Sequence, residues 1–101
     1  MSDRPVVVVT RRLPAAVEEA VARDFDARFN REDRPMTAAE LQDALRSADG
    51  LLPTVTDKLN AEVLRVDPLR TRIVANIGVG FNNIDLQTAK ARGIAVSNTP
   101  D

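Results

Sequence analysis

The stretch "TRIVANIGVGFNNIDLQTAKARGIAVSNT", residues 71–99, holds two strand-like runs separated by a glycine-bearing loop and a helix-like run. The runs at 71–77 and 93–99 are rich in apolar and β-branched residues, which favour strands. Asp85 is suited to cap a helix over "LQTAKAR", and Gly93 is suited to close that helix. A strand, a helix and a second strand in this order form the unit that joins parallel strands, so the stretch predicts a parallel sheet.

The same alternation of strands and helices extends towards the amino terminus. Further strand-like runs lie at 5–10, 25–30 and 49–55, and helix-like runs lie at 14–24 and 37–48. In the first helix Val17, Val21 and Phe25 are spaced by four residues, which predicts an apolar face. Thr37 and Glu40 have the spacing of a capping box. The sequence therefore predicts five strands joined by helices.

Two further caps and the strand composition complete the prediction of the fold. Asn60 is suited to cap a helix over "AEVLRV" that ends before Pro68. The runs "VVVV" (6–9) and "RIVANI" (72–77) do not alternate with polar residues, which is typical of strands covered by helices on both faces. We expect an α/β fold: a single domain with a flavodoxin-like, doubly wound, five-stranded parallel sheet in the order 2-1-3-4-5.

The composition limits the classes of function. The chain has 101 residues, enough for one domain, with 14 Lys and Arg against 15 Asp and Glu. Such a balance carries no electrostatic signature of nucleic acid or of an acidic membrane surface, so neither is expected as a partner. There is no Cys and no His, which argues against thiol chemistry and a metal site. The longest strictly apolar run, Val6–Val9, is too short to span a membrane, and we expect a cytoplasmic protein.

Ligands of such sheets bind beyond the carboxyl ends of the strands, at the loops 10–14, 53–57, 78–83 and 97–101. A dinucleotide fingerprint needs G-x-G-x-x-G on the first strand-to-helix turn. Here Gly78-Val79-Gly80 follows the fourth strand, and Asn83 stands in place of the third glycine. A phosphoacceptor site needs acidic residues after the first and third strands, where the chain has Thr10 and Pro53-Thr54. Both functions are disfavoured.

Two interpretations of the glycine loop stay open. Gly78 and Gly80 serve only a turn, or they let successive N–H groups around Val79 form a small concavity that binds a carboxylate, with Phe81 and Ile84 packed beneath it. The charged residues nearby are interpreted mainly as solvated. Arg11 and Arg12 are expected at the surface, with an anion in the cleft as the alternative, and Asp57 and Lys58 are expected to be exposed charges at a helix entry.

Three stretches, "VTRRLP" (9–14), "ADGLLPTVTDKLN" (48–60) and "LRTRIVANIGVGFNNIDLQTAKARGIAVSNTPD" (69–101), resemble the amino-terminal segment of NAD(P)-dependent D-isomer-specific 2-hydroxyacid dehydrogenases. The glyoxylate/hydroxypyruvate reductases are the most similar. The resemblance implies that residues 1–101 are a segment of the substrate-binding (catalytic) domain. Asn82, where the family usually has Asp, and Asp101, where Gly often follows Thr-Pro, depart from the common pattern.

The resemblance also implies roles for individual residues. It gives Val79 and Gly80 as the backbone that binds the substrate carboxylate, with Pro53 and Thr54 flanking the substrate. The residues that shape the loop are Gly78, Phe81, Asn83 and Asp85, and those near the interdomain hinge are Asn98, Thr99 and Pro100. Family members carry the G-x-G-x-x-G motif, the catalytic Arg, the acidic residue and the His in a second, nucleotide-binding domain. This chain is therefore expected to hold no catalytic residue, metal or nucleotide.

For the intact enzyme the resemblance implies hydride transfer between NAD or NADP and a small 2-keto or 2-hydroxy acid, in a homodimer. We interpret the chain as a domain-length piece of such an enzyme, inactive by itself. The alternative is a free-standing flavodoxin-like binding or interaction module without catalysis. The sequence does not decide which 2-hydroxy acid is used, or whether NADH or NADPH is preferred.

Overall fold

A computed structural model describes residues 4–11, 13–30, 36–54, 57–77 and 83–98. Strands and helices alternate along the chain. The elements are β1 (Val6–Val9), α1 (Ala15–Asp24), β2 (Asp26–Phe29), α2 (Ala38–Ser47), β3 (Gly50–Leu52), α3 (Ala61–Leu64), β4 (Ile73–Asn76), α4 (Leu86–Ala91) and β5 (Ala95–Asn98). No helix of the described part of the chain is long and apolar enough to cross a membrane.

The strands form one parallel sheet in the order β2-β1-β3-β4-β5, which confirms the predicted flavodoxin-like arrangement. The chain turns one way from β1 to β2 and the opposite way from β2 to β3. Right-handed crossovers therefore place α1 and α2 on opposite faces of the sheet. All strands point the same way, so their carboxyl ends lie along one edge, called here the carboxyl edge.

The hydrophobic core lies on the sheet face that α2, α3 and α4 cover. Val8, Leu51, Val74 and Val96 are paired in register across β1, β3, β4 and β5 and belong to or pack against this core. The helices contribute their own apolar residues, which are Leu41, Ala44, Leu45, Val63, Leu64 and Ala89. The face of α2 that carries Leu41, Ala44 and Leu45 therefore packs on the sheet.

The opposite face is only partly covered, which corrects the expectation of helices over both faces of every strand. Val7 and Val9 of β1 are buried, but Ile73 of β4 is 49% exposed and Ala95 of β5 is also exposed. The predicted apolar face of α1 buries none of its residues, and Val17 and Phe25 are exposed. The sequence pattern missed this because α1 packs against β2, at one side of the sheet.

Three of the helix boundaries are set by the predicted side-chain caps. Thr37 and Glu40 form the reciprocal capping box of α2, and Asp85 accepts from the Thr88 amide at the start of α4. Asn60 caps α3, which ends earlier than predicted, at Leu64. The physical reason lies after the helix. Val66 turns into the core, and the Arg92 side chain donates to its carbonyl oxygen at 2.9 Å.

A carboxylate also holds the opposite, amino edge of the sheet. Asp49 accepts from the Val6 amide at 2.8 Å and from Arg70 at 3.0 Å. The Val6 N–H, followed by the Arg70 guanidinium, lowers the pKa of Asp49 from its ordinary value. Asp49 thus stabilises the start of β1 and β3 and lies far from the carboxyl edge.

Candidate functional site

Polar residues converge where β1, β3 and β4 end at the carboxyl edge. Thr10 follows β1, Thr54 follows β3, and Asn76 is the last residue of β4. The amide of Ile77 donates to the Pro53 carbonyl oxygen at 2.8 Å, so the pairing of β3 with β4 continues past the strands. Thr10, Thr54, Asp57, Asn76 and Asn83 are called the edge cluster below.

Asp57 is the buried centre of the edge cluster. The residue is 1% exposed, and its Oδ2 accepts from the Thr10 hydroxyl and, at 2.9 Å, from the Thr54 amide. The Thr54 hydroxyl lies 3.4 Å from the same oxygen, and the Asp57 amide donates back to the Thr54 carbonyl at 3.0 Å. The other carboxyl oxygen, Oδ1, is buried and has no hydrogen-bond partner among the described residues. The Asp57 side chain therefore connects Thr54, which follows β3, to Thr10 at the end of β1.

A pair of amide side chains joins β4 to the residue that precedes α4. Asn76 Nδ2 donates to Asn83 Oδ1 at 3.0 Å, and Asn83 Nδ2 donates to Asn76 Oδ1 at 3.1 Å. Asn83 Nδ2 also lies 3.1 Å from the Thr54 carbonyl oxygen and 2.9 Å from that of Asp57. Because Asn76 and Asn83 flank residues 77–82, their pairing holds the two ends of the predicted glycine loop together beside Thr54.

The backbone strengthens the same junction. The Leu59 amide donates to the Asn83 carbonyl at 2.7 Å, and the Asp85 amide donates to the Leu59 carbonyl at 2.9 Å. Ile84, which lies between Asn83 and Asp85 in the sequence and was predicted to pack beneath the loop, is buried and belongs to the core. The chain that follows β3 and the chain that follows β4 are thus held side by side.

The described residues contain part of the predicted site. Pro53 is buried, Thr54 and Asn83 are half-buried, and these residues lie together at the carboxyl edge. Asp85 is next to them as the cap of α4, and Asn98 ends β5 at the same edge. The other predicted site residues lie outside the described residues: Gly78, Val79, Gly80, Phe81, Thr99 and Pro100.

The prediction that Asp57 is an exposed helix-entry charge is wrong, whereas Lys58 beside it is exposed as predicted. The sequence pattern assigns no role to Asn76 and marks Thr10 only as a position that lacks an acidic residue. The hydrogen bond between Thr10 and Asp57 joins residues 47 positions apart, so no local sequence pattern predicts it. The available signal was topological: polar residues directly after β1, β3 and β4 must meet at one edge.

The turn after β1 does not suit a dinucleotide. Thr10 is fully buried there, its side chain bonds to Asp57, and its carbonyl oxygen accepts from Asn30 Nδ2 at 2.8 Å. A pyrophosphate needs glycines at this turn for close backbone approach, and an acidic residue for the ribose after the next strand, where Asn30 follows β2. The residues present here therefore do not fit NAD or NADP. Nor do the described residues contain a group of three or more metal-ligating side chains.

Comparisons with known proteins agree with the fold and the motifs. A family model described as "D-isomer specific 2-hydroxyacid dehydrogenase, catalytic domain" matches residues 7–101. The chain is 38% identical over 98 residues to a glyoxylate reductase of Thermococcus kodakarensis, covering 97% of this chain and 29% of that protein. The chain belongs to the D-isomer specific 2-hydroxyacid dehydrogenase family, and the match lies in its catalytic domain. The predicted family resemblance is confirmed.

Solved structures show the same relationship. A protein of Polaromonas sp. JS6 66 has a TM-score of 0.89 and 31% identity, covering 97% of this chain and 31% of that one. The NADPH-dependent glyoxylate/hydroxypyruvate reductase of Sinorhizobium meliloti, solved with NADP and malonate, has a TM-score of 0.73 and 32% identity. That match covers 98% of this chain and 29% of the reductase. The chain thus spans less than a third of the length of these relatives.

Proposed function

We propose that residues 1–101 are a substrate-binding (catalytic) domain segment of an NAD(P)-dependent oxidoreductase that acts on a small 2-keto or 2-hydroxy acid, as a glyoxylate or hydroxypyruvate reductase does. The segment's own task is to bind the substrate carboxylate. In this proposal the backbone of Val79 and Gly80 donates to the carboxylate, and Pro53 and Thr54 flank the substrate. The nucleotide and the catalytic side chains come from a second domain, and the intact enzyme is a cytoplasmic homodimer.

One observation carries the proposal. The paired amides of Asn76 and Asn83 fasten both ends of the glycine loop beside Thr54 at the carboxyl edge. Pairing of the residues that flank a loop lowers the conformational entropy that the loop loses when its backbone donors bind an anion. The same contacts support the loop-shaping role proposed for Asn83.

The relatives support a carboxylate as the ligand. The chain is similar to proteins named glyoxylate reductase and to a reductase solved with malonate, which is a small dicarboxylate. The alternative of a free-standing binding module is not favoured, because the catalytic-domain match extends over residues 7–101.

The proposal is tested by titrating the chain with glyoxylate and following the backbone amide chemical shifts. Val79 and Gly80 are expected to shift, with a dissociation constant of about 1 mM or weaker, since only one or two neutral donors contribute. Gly80→Val removes the response by restricting the backbone and filling the site. Arg12→Ala is the matched control and changes the response little.

A second titration separates carboxylate binding from nonspecific effects. Glycolaldehyde has the size of glyoxylate but no carboxylate, so it is expected to leave Val79 and Gly80 unshifted. If glyoxylate leaves these two amides flat while others move, the loop is only a turn and the proposed carboxylate site is wrong.

A further inference from the structure

We infer that Asp57 is a positioning residue of the carboxyl edge: its buried carboxyl group fixes Thr54, so that Thr54 meets the substrate through its side chain in one orientation. The inference rests on the proposed function, because it assigns a task within the proposed substrate site. Asp57 itself touches no reacting group in this account. It acts through Thr54.

The burial of Asp57 is costly enough to need an explanation. A carboxyl group removed from water loses solvation that hydrogen bonds must replace, and buried polar atoms are normally all satisfied. Here Oδ2 accepts from Thr10 and Thr54, while Oδ1 is buried without a partner among the described residues. Packing alone would be served better by an apolar residue at this position. A buried carboxyl group with only one oxygen hydrogen-bonded therefore points to a role in orienting the groups that donate to it.

The backbone of Pro53 and Thr54 is already occupied by contacts within the chain. Proline has no N–H, and the Pro53 carbonyl accepts from Ile77. The Thr54 N–H donates to Asp57 Oδ2, and the Thr54 carbonyl accepts from the Asp57 amide and from Asn83 Nδ2. The Thr54 hydroxyl lies 3.4 Å from Asp57 Oδ2, so the same carboxyl group also orients this side chain. In this proposal a ligand at this turn meets the γ-methyl group of Thr54 and the lone pairs of its hydroxyl oxygen. The division of labour is that the glycine loop supplies backbone donors and the Thr54 turn supplies a side chain.

The contact between Thr10 and Asp57 links this orientation to the sheet. Thr10 is fully buried and continues β1, the strand between β2 and β3. Its hydroxyl donates to the same Oδ2 that holds the Thr54 amide. Asp57 Oδ2 thus connects the buried end of β1 to the Thr54 amide.

The chain offers a matched control at the other edge of the sheet. Asp49 also accepts a backbone N–H, from Val6, but it is half-exposed and also bonds to Arg70. Asp49→Asn perturbs a carboxylate of similar bonding without touching the carboxyl edge. Effects on Thr54 that are common to Asp49→Asn and the Asp57 variants would reflect general loosening of the sheet.

The first arm of the test needs no ligand. Amide hydrogen exchange of Thr54 is compared in the wild-type chain, Asp57→Ala, Asp57→Asn, Thr10→Val, Thr10→Ser and Asp49→Asn. Asp57→Ala is expected to speed exchange at Thr54 by at least about tenfold, because a hydrogen bond to a carboxylate is lost. Asp57→Asn keeps an acceptor oxygen and is expected to cause a smaller change, of about threefold.

The Thr10 variants keep the test decisive if Asp57→Ala does not fold. Thr10→Val removes the hydroxyl that holds Asp57 and is expected to speed exchange at Thr54, whereas Thr10→Ser restores slow exchange. Asp49→Asn is expected to leave Thr54 unchanged. Unchanged exchange at Thr54 in Thr10→Val, or equal effects of Thr10→Val and Asp49→Asn, would overturn the inference.

The second arm repeats the glyoxylate titration with the Thr10 and Asp57 variants. Thr10→Val is expected to abolish the ligand-induced shift at Thr54 while the shifts at Val79 and Gly80 persist, and Thr10→Ser is expected to retain both. A wild-type chain without shifts at Val79 and Gly80 contradicts the proposed function, and the exchange arm still decides the role of Asp57. A wild-type response at all three residues that Thr10→Val leaves intact contradicts the positioning role alone.

Discussion

At the scale of single residues, Asn83 joins three other residues of the carboxyl edge through its side chain. Its amide group exchanges hydrogen bonds with Asn76, and its Nδ2 lies within hydrogen-bond distance of the carbonyl oxygens of Thr54 and Asp57. Asn76 is fully buried, so loss of the Asn83 side chain removes two hydrogen bonds to Asn76 at a place that water does not reach. Leaving buried polar groups unpaired costs more than the hydrogen bonds themselves contribute.

Asn83→Ala is therefore expected to lower the free energy of unfolding by about 2–4 kcal/mol, which urea unfolding measures. The control is Asn60→Ala, which removes an exposed helix cap and is expected to cost about 1 kcal/mol. Equal losses in the two variants would show that Asn83 is no more than a local cap. Asn83→Asp is expected to be as damaging as alanine, because a carboxylate cannot donate to the carbonyl oxygens.

At the scale of elements, the two faces of the sheet differ in what covers them. The face under α2, α3 and α4 forms the core, whereas the β3–β5 part of the other face leaves Ile73 and Ala95 exposed. Another polypeptide element, or a second copy of the chain, can pack on this exposed apolar sheet surface.

The isolated chain is accordingly expected to associate with itself as its concentration rises, since exposed apolar sheet surface favours association. Sedimentation measures this directly. Ile73→Lys is expected to weaken the association. The control is Val17→Lys on α1, at a position that is 43% exposed against 49% for Ile73, and it is expected to change the association little. A chain that stays monomeric at all accessible concentrations would contradict association through this surface.

Local sequence signals predicted the helices and strands better than they predicted which residues are buried. The capping residues Thr37, Asn60 and Asp85 act over three residues, so their motifs are visible in the sequence and the structure confirms them. The burial of Asp57 depends on Thr10, which is 47 residues away and reaches it only through the strand order. The exposure of Ile73 is also set by the fold and not by its neighbours in the sequence. Ile73 lies in a run typical of fully buried strands, yet it is 49% exposed.

At the scale of the whole molecule, the chain accounts for under a third of the length of its relatives. The described residues provide a fastened carboxyl edge, and they provide no glycine turn after β1 for a nucleotide. In the proposed division of labour this domain binds the acid, and a second domain binds NAD or NADP and carries the proton-transfer chemistry. The interdomain hinge that the family resemblance implies near Asn98, Thr99 and Pro100 is part of the same proposal.

The most direct test of this account is steady-state kinetics of the polypeptide that the complete reading frame containing residues 1–101 encodes. The account predicts oxidation of NADH or NADPH that saturates with glyoxylate or hydroxypyruvate, and no oxidation by the 101-residue chain alone. Gly80→Val is expected to raise KM for the keto acid by at least about tenfold, while KM for the nucleotide stays within about twofold. Absence of oxidation with every small 2-keto acid, or a Gly80→Val variant that impairs nucleotide binding and leaves the keto acid unaffected, would contradict it.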